Sequence, residues 1–200
     1  METRDKILNL ALEQFTKYGV RSTTMDDIAR LMGISKKTLY QEFRDKRELI
    51  HSTFSLLLDV EKQELSEILR ADLDAIDHLV EVSKMIRHRL QTINPLTILE
   101  IQKYFPESWT LFEEFRDRVI LVNLERIIEE GKQNGYFRTE VDTGIMARMR
   151  VNQISSAMDP AKVANPDYDL VEEQLQTMDH FLHGIFTEKG REAYRLQKTK

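Results

Sequence analysis

Apolar side chains recur at helical spacing from the start of the chain. Ile7, Leu8, Ala11, Phe15 and Tyr18 share one face, and Gly19 ends the run in the manner of a helix C-cap. Met25, Ile28, Ala29 and Met32 form a second, shorter stripe. Thr24 precedes it, with Asp27 three residues on, which predicts an N-cap and an acidic first turn. Gly33 stops this helix, and Ile34 is suited to plugging the gap between two helices. Ser35 caps a third helix whose apolar face is only Leu39 and Phe43. Asp45 opens a longer helix that carries Leu49, Ile50, Phe54, Leu57 and Leu58 to about residue 70.

The same spacing continues. A helix restarting at Asp72 or Asp74 carries Leu79, Val82, Ile86 and Leu90. Asn94-Pro95 marks a turn with Pro at a first-turn position, and Tyr104, Phe105 and Pro106 close the next short helix. From Trp109 to about Gly131 apolar residues cover more than one face, which predicts a central, buried helix. Asn134-Gly135 reads as a turn, and Asp142 or Thr143 caps a helix to about Met158. A Pro-containing loop over 159–166 leads to a last main helix from about Leu170 to Phe186. Residues 187–200 are polar and expected to fray. The expectation is an all-α chain of about nine helices, three short ones over residues 1–48 and six over 49–200.

Composition narrows this further. A chain of 200 residues is one domain or two small ones. Seven Gly and four Pro are too few for a many-turned β fold. The absence of cysteine excludes disulfides, thiol catalysis and cysteine-ligated metals. No apolar run approaches a membrane span, and METRDKILNL lacks a secretory core, so a cytoplasmic protein without membrane contact is expected. The net charge of −5 does not suggest a partner that is itself an anion. Its distribution changes that picture. Residues 1–50 hold ten Lys and Arg against eight Asp and Glu, a net +2 that leaves −7 on the remainder. Such a polarity can steer a polyanion to one end.

The informative stretch is TMDDIARLMGISKKTLYQEFRDKRE, residues 24–48. It reads as helix, glycine turn, helix, with a turn too short for antiparallel packing. Opposite Leu39 and Phe43, the third helix presents Ser35, Lys36, Lys37, Thr38, Tyr40 and Gln41. Hydrogen-bonding, cationic and aromatic groups at the front of a short helix suit a major groove and its phosphates.

Residues 1–50 resemble the DNA-binding domain of the TetR family of bacterial transcriptional regulators. The resemblance rests on Thr24, Ile28-Ala29, Gly33-Ile34-Ser35, Thr38-Leu39-Tyr40, Phe43, Asp45-Lys46 and Leu49 at fixed spacing. It covers about a quarter of the chain, and beyond it only helix number and order agree. It implies that Thr24 contacts a phosphate while capping its helix, and that Ser35, Lys36, Lys37 and Thr38 line the front of the recognition helix with Gln41 beside them. It implies further that Tyr40 presses on the sugar-phosphate backbone and that Lys46 grips a phosphate. Lys36 and Lys37 are the candidates for base-edge contact, since lysine can donate to guanine O6 or N7. Gln41-Glu42 departs from the aromatic or histidine residues many relatives carry there. Glu42 is expected to pair with Lys46, with a cytosine amino group as the alternative.

The resemblance also implies a C-terminal ligand-binding and dimerisation part. Val171, Leu175, Met178, Leu182 and Ile185 recur at the spacing of a two-helix seam, echoed by Ala147, Val151, Ile154 and Met158. Two such helices from each subunit would form a homodimer reading a palindromic double-stranded operator. These stripes could equally face the chain's own core. Met85, Ile86, His88, Phe105, Trp109, Phe112, Met146, Met149 and Asn152 are candidates to line a mostly apolar effector pocket.

Other classes fit less well. An enzyme needs a nucleophile with a base, a carboxylate pair or a metal. His51, His78, His88, His180 and His183 offer at most His180 and His183 beside Asp179, without a metal-ligand motif. A metal-responsive regulator without an organic ligand and a helical protein-binding adaptor are the alternatives. An adaptor has no need of Lys36, Lys37, Tyr40 and Lys46 together. The expectation is a ligand-released repressor that is not an enzyme and uses no cofactor or metal.

Overall fold

Local capping chemistry sets where the first helices begin and stop. The computed structural model describes residues 3–198. Helix α1 spans Thr3–Tyr18 and gives way to Gly19, which takes a φ of 90°. Helix α2 spans Met25–Met32. The Thr24 hydroxyl accepts the Asp27 N–H, and the Asp27 carboxylate accepts the Thr24 N–H, both at 3.1 Å. This reciprocal pair satisfies two donors that no helix can satisfy itself. Gly33 ends α2 at φ 67°, a left-handed conformation that glycine adopts without a Cβ penalty. Helix α3 spans Lys36–Glu42, with Ser35 Oγ accepting the Thr38 N–H at 3.1 Å. Helix α4 spans Lys46–Arg70. Asp45 accepts the Glu48 N–H and Glu48 accepts the Arg44 N–H, each at 2.9 Å.

Next come α5 (Ala75–Thr92), α6 (Pro95–Tyr104) and α7 (Pro106–Phe115). A π-helical turn over Arg116–Ile120 leads into α8 (Leu121–Gln133). They are followed by α9 (Thr143–Ala157), α10 (Pro160–Val163), α11 (Leu170–Ile185) and α12 (Glu188–Lys198). The described residues thus hold twelve α-helices and one π turn where nine helices are expected from the sequence. Three features account for the difference. The expected 109–131 helix begins earlier and is divided by the π turn, α10 forms inside the Pro-containing loop, and residues expected to fray form α12. The last two residues of that expected tail lie outside the described ones. The expectation of a helix buried all round is also corrected. Leu124, Ile127 and Ile128 are buried, but Val122 is exposed.

The chain forms two compact units. One reaches to Glu61 and takes up again over Gln91–Glu113; the other holds Lys62–Leu90 and everything from Glu114. These units do not follow a single cut after residue 48. The first has a core of Ile7, Ala11, Phe15, Ile28, Leu39, Phe43, Leu49, Ile50 and Ile101. Residues of α6 join it because α1 ends there. Thr97 Oγ1 donates to the Phe15 carbonyl at 2.8 Å, the Asn94 N–H to that of Thr16 at 2.8 Å and Asn94 Nδ2 to that of Lys17 at 3.3 Å. The carbonyls left open by the end of α1 are therefore satisfied from a segment some eighty residues away.

The second unit is built on a core from α4, α5, α8, α9 and α11 that includes Leu65, Ile76, Ile128, Phe181, Leu182 and Phe186. Gly190 N–H donates to Thr187 Oγ1 at 3.1 Å to start α12, and Ala193 and Tyr194 lay that helix on the core.

Candidate nucleic-acid interface

The short α3 is divided sharply between its two sides. Leu39 and the following Phe43 are both 0% exposed, inserted in the core of the first unit. Ser35, Lys36, Lys37, Tyr40 and Gln41 are exposed, and Thr38 is half-buried with its hydroxyl 2.9 Å from that of Ser35. Two buried side chains suffice to fix a helix of seven residues because its ends are also held. Ser35 caps the front. At the back, the Arg4 guanidinium donates to the Glu42 carbonyl and lies 4.1 Å from the Phe43 ring centroid. Arg4 is a positioning residue that the sequence reading missed, since its partner is thirty-eight residues away.

The cations on this surface differ in availability. Lys36 Nζ lies 2.5 Å from an Asp26 carboxylate oxygen, an exposed pair that water screens. Lys37 has no ion-pair partner among the described residues. Lys46 opens α4 and is half-buried, its Nζ donating to the Arg21 carbonyl at 3.2 Å. Burial pushes its ammonium below the ordinary lysine value, helped by Arg21 and opposed by Glu100 and Asp27. The expected pairing of Glu42 with Lys46 is not what holds that lysine. Helix α3 ends at Glu42, so the two residues do not share a helix and lose the spacing that would bring them together. Thr24 is exposed, and its hydroxyl also meets Asp27 Oδ2 at 2.6 Å. That hydrogen bond and the one from the Thr24 N–H hold the Asp27 carboxyl below its usual range. Arg21 joins the same edge. Its N–H donates to Glu100 Oε2 at 2.8 Å and its guanidinium lies 4.5 Å from the Tyr104 ring centroid.

The residues singled out for an effector pocket divide between the two units. Phe105, Trp109 and Phe112 belong to the first unit, where Phe105 and Trp109 pack on its core and Phe112 is buried. Met85, Ile86, His88, Met146, Met149 and Asn152 belong to the second. There Met85 and Met146 pack on the core, whereas His88, Met149 and Asn152 are exposed. A groove of about 250 Å³ in the second unit is lined by none of them.

The stripes expected to form a dimer seam or to face the chain's own core are largely covered within the chain. Met178, Leu182 and Ile185 are buried in the chain's own core, and Val151 and Ile154 are also buried. Periodicity reports that a face is covered, not by what, and here α9 and α11 cover each other. Met158, Val171 and Leu175 stay half-buried. His183 Nε2 lies 3.7 Å from Asp179 Oδ2, and no group of three or more His, Asp or Glu among the described residues could hold a metal ion.

A capped helix, a glycine turn and a short helix with one anchored and one polar face define a helix-turn-helix DNA-binding protein. Residues 7–53 match the bacterial regulatory proteins of the tetR family. The chain is similar to YhgD of Bacillus subtilis (strain 168), an uncharacterised HTH-type transcriptional regulator. The two are 26% identical over 147 residues, 72% of this chain and 70% of the relative. It is also 23% identical over 148 residues to the HTH-type transcriptional repressor KstR2 of Mycobacterium tuberculosis, covering 72% of this chain and 74% of that one. A crystal structure of a transcriptional regulator from Cytophaga hutchinsonii ATCC 33406 shares the fold. It has a TM-score of 0.76 and 24% identity over 92% of this chain and 98% of the other. The similarity to the tetR family thus falls on residues 7–53, the part that holds the helix-turn-helix, and the relatives matched over most of the chain are HTH-type transcriptional regulators. No helix among the described residues is long and apolar enough to cross a membrane.

Proposed function

We propose that the chain is a cytoplasmic repressor that reads a palindromic operator as a homodimer and is released when its C-terminal body takes up a small ligand. The observation that carries the DNA-facing part is the division of α3. Leu39 and Phe43 are fully buried while Lys36, Lys37, Tyr40 and Gln41 stand exposed on the opposite side. A helix anchored this firmly presents its polar face without having to order its backbone on binding. In this reading Thr24, Tyr40 and Lys46 contact phosphates and set the register, while Lys36 and Lys37, with Ser35, Thr38 and Gln41 alongside, reach base edges. Lys37 enters with its charge uncommitted, whereas Lys36 exchanges Asp26 for DNA. The relative KstR2 is named a repressor, which supports the sign of regulation.

The test is fluorescence anisotropy with the DNA immediately upstream of the chain's own gene, across a salt series. Log affinity is expected to fall linearly with log salt, by about 0.9 per phosphate neutralised. Tyr40→Ala and Lys46→Ala should each weaken binding at least tenfold with the circular dichroism unchanged. Full binding by both variants would remove these residues from the interface.

A further inference from the structure

The second unit carries a groove that DNA recognition does not use. It lies between the C-terminal part of α4 and the π turn with the start of α8, and offers about 250 Å³ that is open to solvent on one side. Leu65 and Leu69, both buried, and half-buried Val119 supply its apolar lining, with Ser66 and Asn123 beside them. Its rim is cationic. Lys62 and Arg70 come from α4, Arg118 from the π turn and Arg126 from α8. No Asp or Glu lines it, although residues 51–200 together carry −7.

Two of these cations have a local use. Arg70 sits in the last turn of α4, where the helix dipole favours it, and Arg126 Nη2 donates to the Leu69 carbonyl at 3.4 Å. The other two do not. Lys62 has no ion-pair partner among the described residues, and Arg118 meets Glu114 only at 3.7 Å with both side chains largely exposed. A second observation concerns the backbone. π turns are rare and concentrate at functional sites. The one here, Arg116–Ile120, supplies both Arg118 to the rim and Val119 to the apolar lining. Asn123 Nδ2 fastens it by donating to the Val119 carbonyl at 2.8 Å.

We propose that this groove binds a small amphipathic anion. Its phosphate, sulfate or carboxylate head lies between Lys62 and Arg118, and a short apolar body lies over Leu65, Leu69 and Val119. The size of the groove suits a small ligand rather than a drug-sized one. Exposed cations beside Leu65, Leu69 and Val119 select against both neutral alcohols and bare inorganic anions.

The experiment is isothermal titration calorimetry of the full chain, without DNA, against octyl phosphate, octanoate, octanol and inorganic phosphate. At least one of the two octyl anions is expected to bind, and octanol and inorganic phosphate to bind at least tenfold more weakly. Lys62→Gln with Arg118→Gln should weaken the octyl anion at least tenfold while the thermal melt stays unchanged, as both positions are at the surface. Tyr40→Ala should leave this binding intact, which separates the result from the DNA-binding reading. Octanol binding as well as the octyl anions, no binding by either anion, or indifference to the double variant would each overturn the proposal.

Discussion

Thr24 and Asp27 are joined by three hydrogen bonds that fix the entry to α2. The Thr24 hydroxyl and N–H lower the Asp27 carboxyl below its ordinary 3.8, so the charged form is the one the fold prefers. A depressed carboxyl contributes stability that is present above its unfolded value and lost as pH falls through its folded value. Thr24→Ala removes the N-cap of α2, which is expected to cost about 1 kcal/mol near neutral pH. Its deficit should shrink as pH falls below 3.8 and on through the lower folded value of Asp27; urea melts near neutral pH and well below 3.8 check this. Gly33 poses a different residue-level constraint. It sits at φ 67° with nothing within 4 Å of an added Cβ, so any penalty there is conformational. Gly33→Ala should destabilise by about 1 kcal/mol, and Gly33→Asn by less, because asparagine tolerates the left-handed region better. Equal melts for the two variants would contradict this.

Among the elements, α9 and α11 are joined by a polar contact at a position where their apolar stripes predict only hydrocarbon. Arg150 is 3% exposed and faces no carboxylate among its hydrogen-bond partners. Its guanidinium donates to Gln174 Oε1 at 3.0 Å and Thr177 Oγ1 at 3.2 Å, and burial pushes it down to about 10. Gln174→Met strips the buried cation of its best acceptor and is expected to cost about 3 kcal/mol. Arg150→Met leaves only a neutral amide oxygen unpaired, about 1–3 kcal/mol. The double variant removes both polar groups and should cost less than Gln174→Met alone, so a thermal-melt cycle ought to show strong non-additivity. The same element pair marks the limit of reading the sequence. The boundaries of α2 and α3 were legible because Thr24, Gly33 and Ser35 act within three residues of themselves. The polar face of α3 was legible for the same reason, since Leu39 and Phe43 leave only one other side. Helix α12 was not, because its contact with the core rests on Ala193 and Tyr194 in an otherwise polar run. Nor was the attachment of α6 to α1, where Thr97 and Asn94 reach carbonyls some eighty residues away. The stripe on α11 was legible as a buried face but not as to what covers it, since helical spacing does not name the partner.

For the whole molecule, the question is how a chain of net −5 engages a polyanion. The +2 of residues 1–50 is modest, and a single such surface gives weak, mostly non-sequence-specific attraction. Pairing two copies on a two-fold axis doubles the phosphate contacts and ties them to a fixed separation of the recognition helices. The homodimer proposal thus makes a geometric demand that a monomeric binder does not. Both α3 helices must meet major grooves on one side of the duplex, about one helical turn apart or a multiple of it. Inserting about five base pairs between the half-sites turns the second to the opposite face. Binding should then fall to the level of an isolated half-site, and a further insertion of about five should partly restore it as the faces realign. Anisotropy with the three spacings at one salt concentration reads this directly, with sedimentation velocity giving two chains per duplex for the uninterrupted site. Affinity that is indifferent to the insertions would mean that each chain binds alone, and the homodimeric reading would have to be given up while the interface on α3 stood.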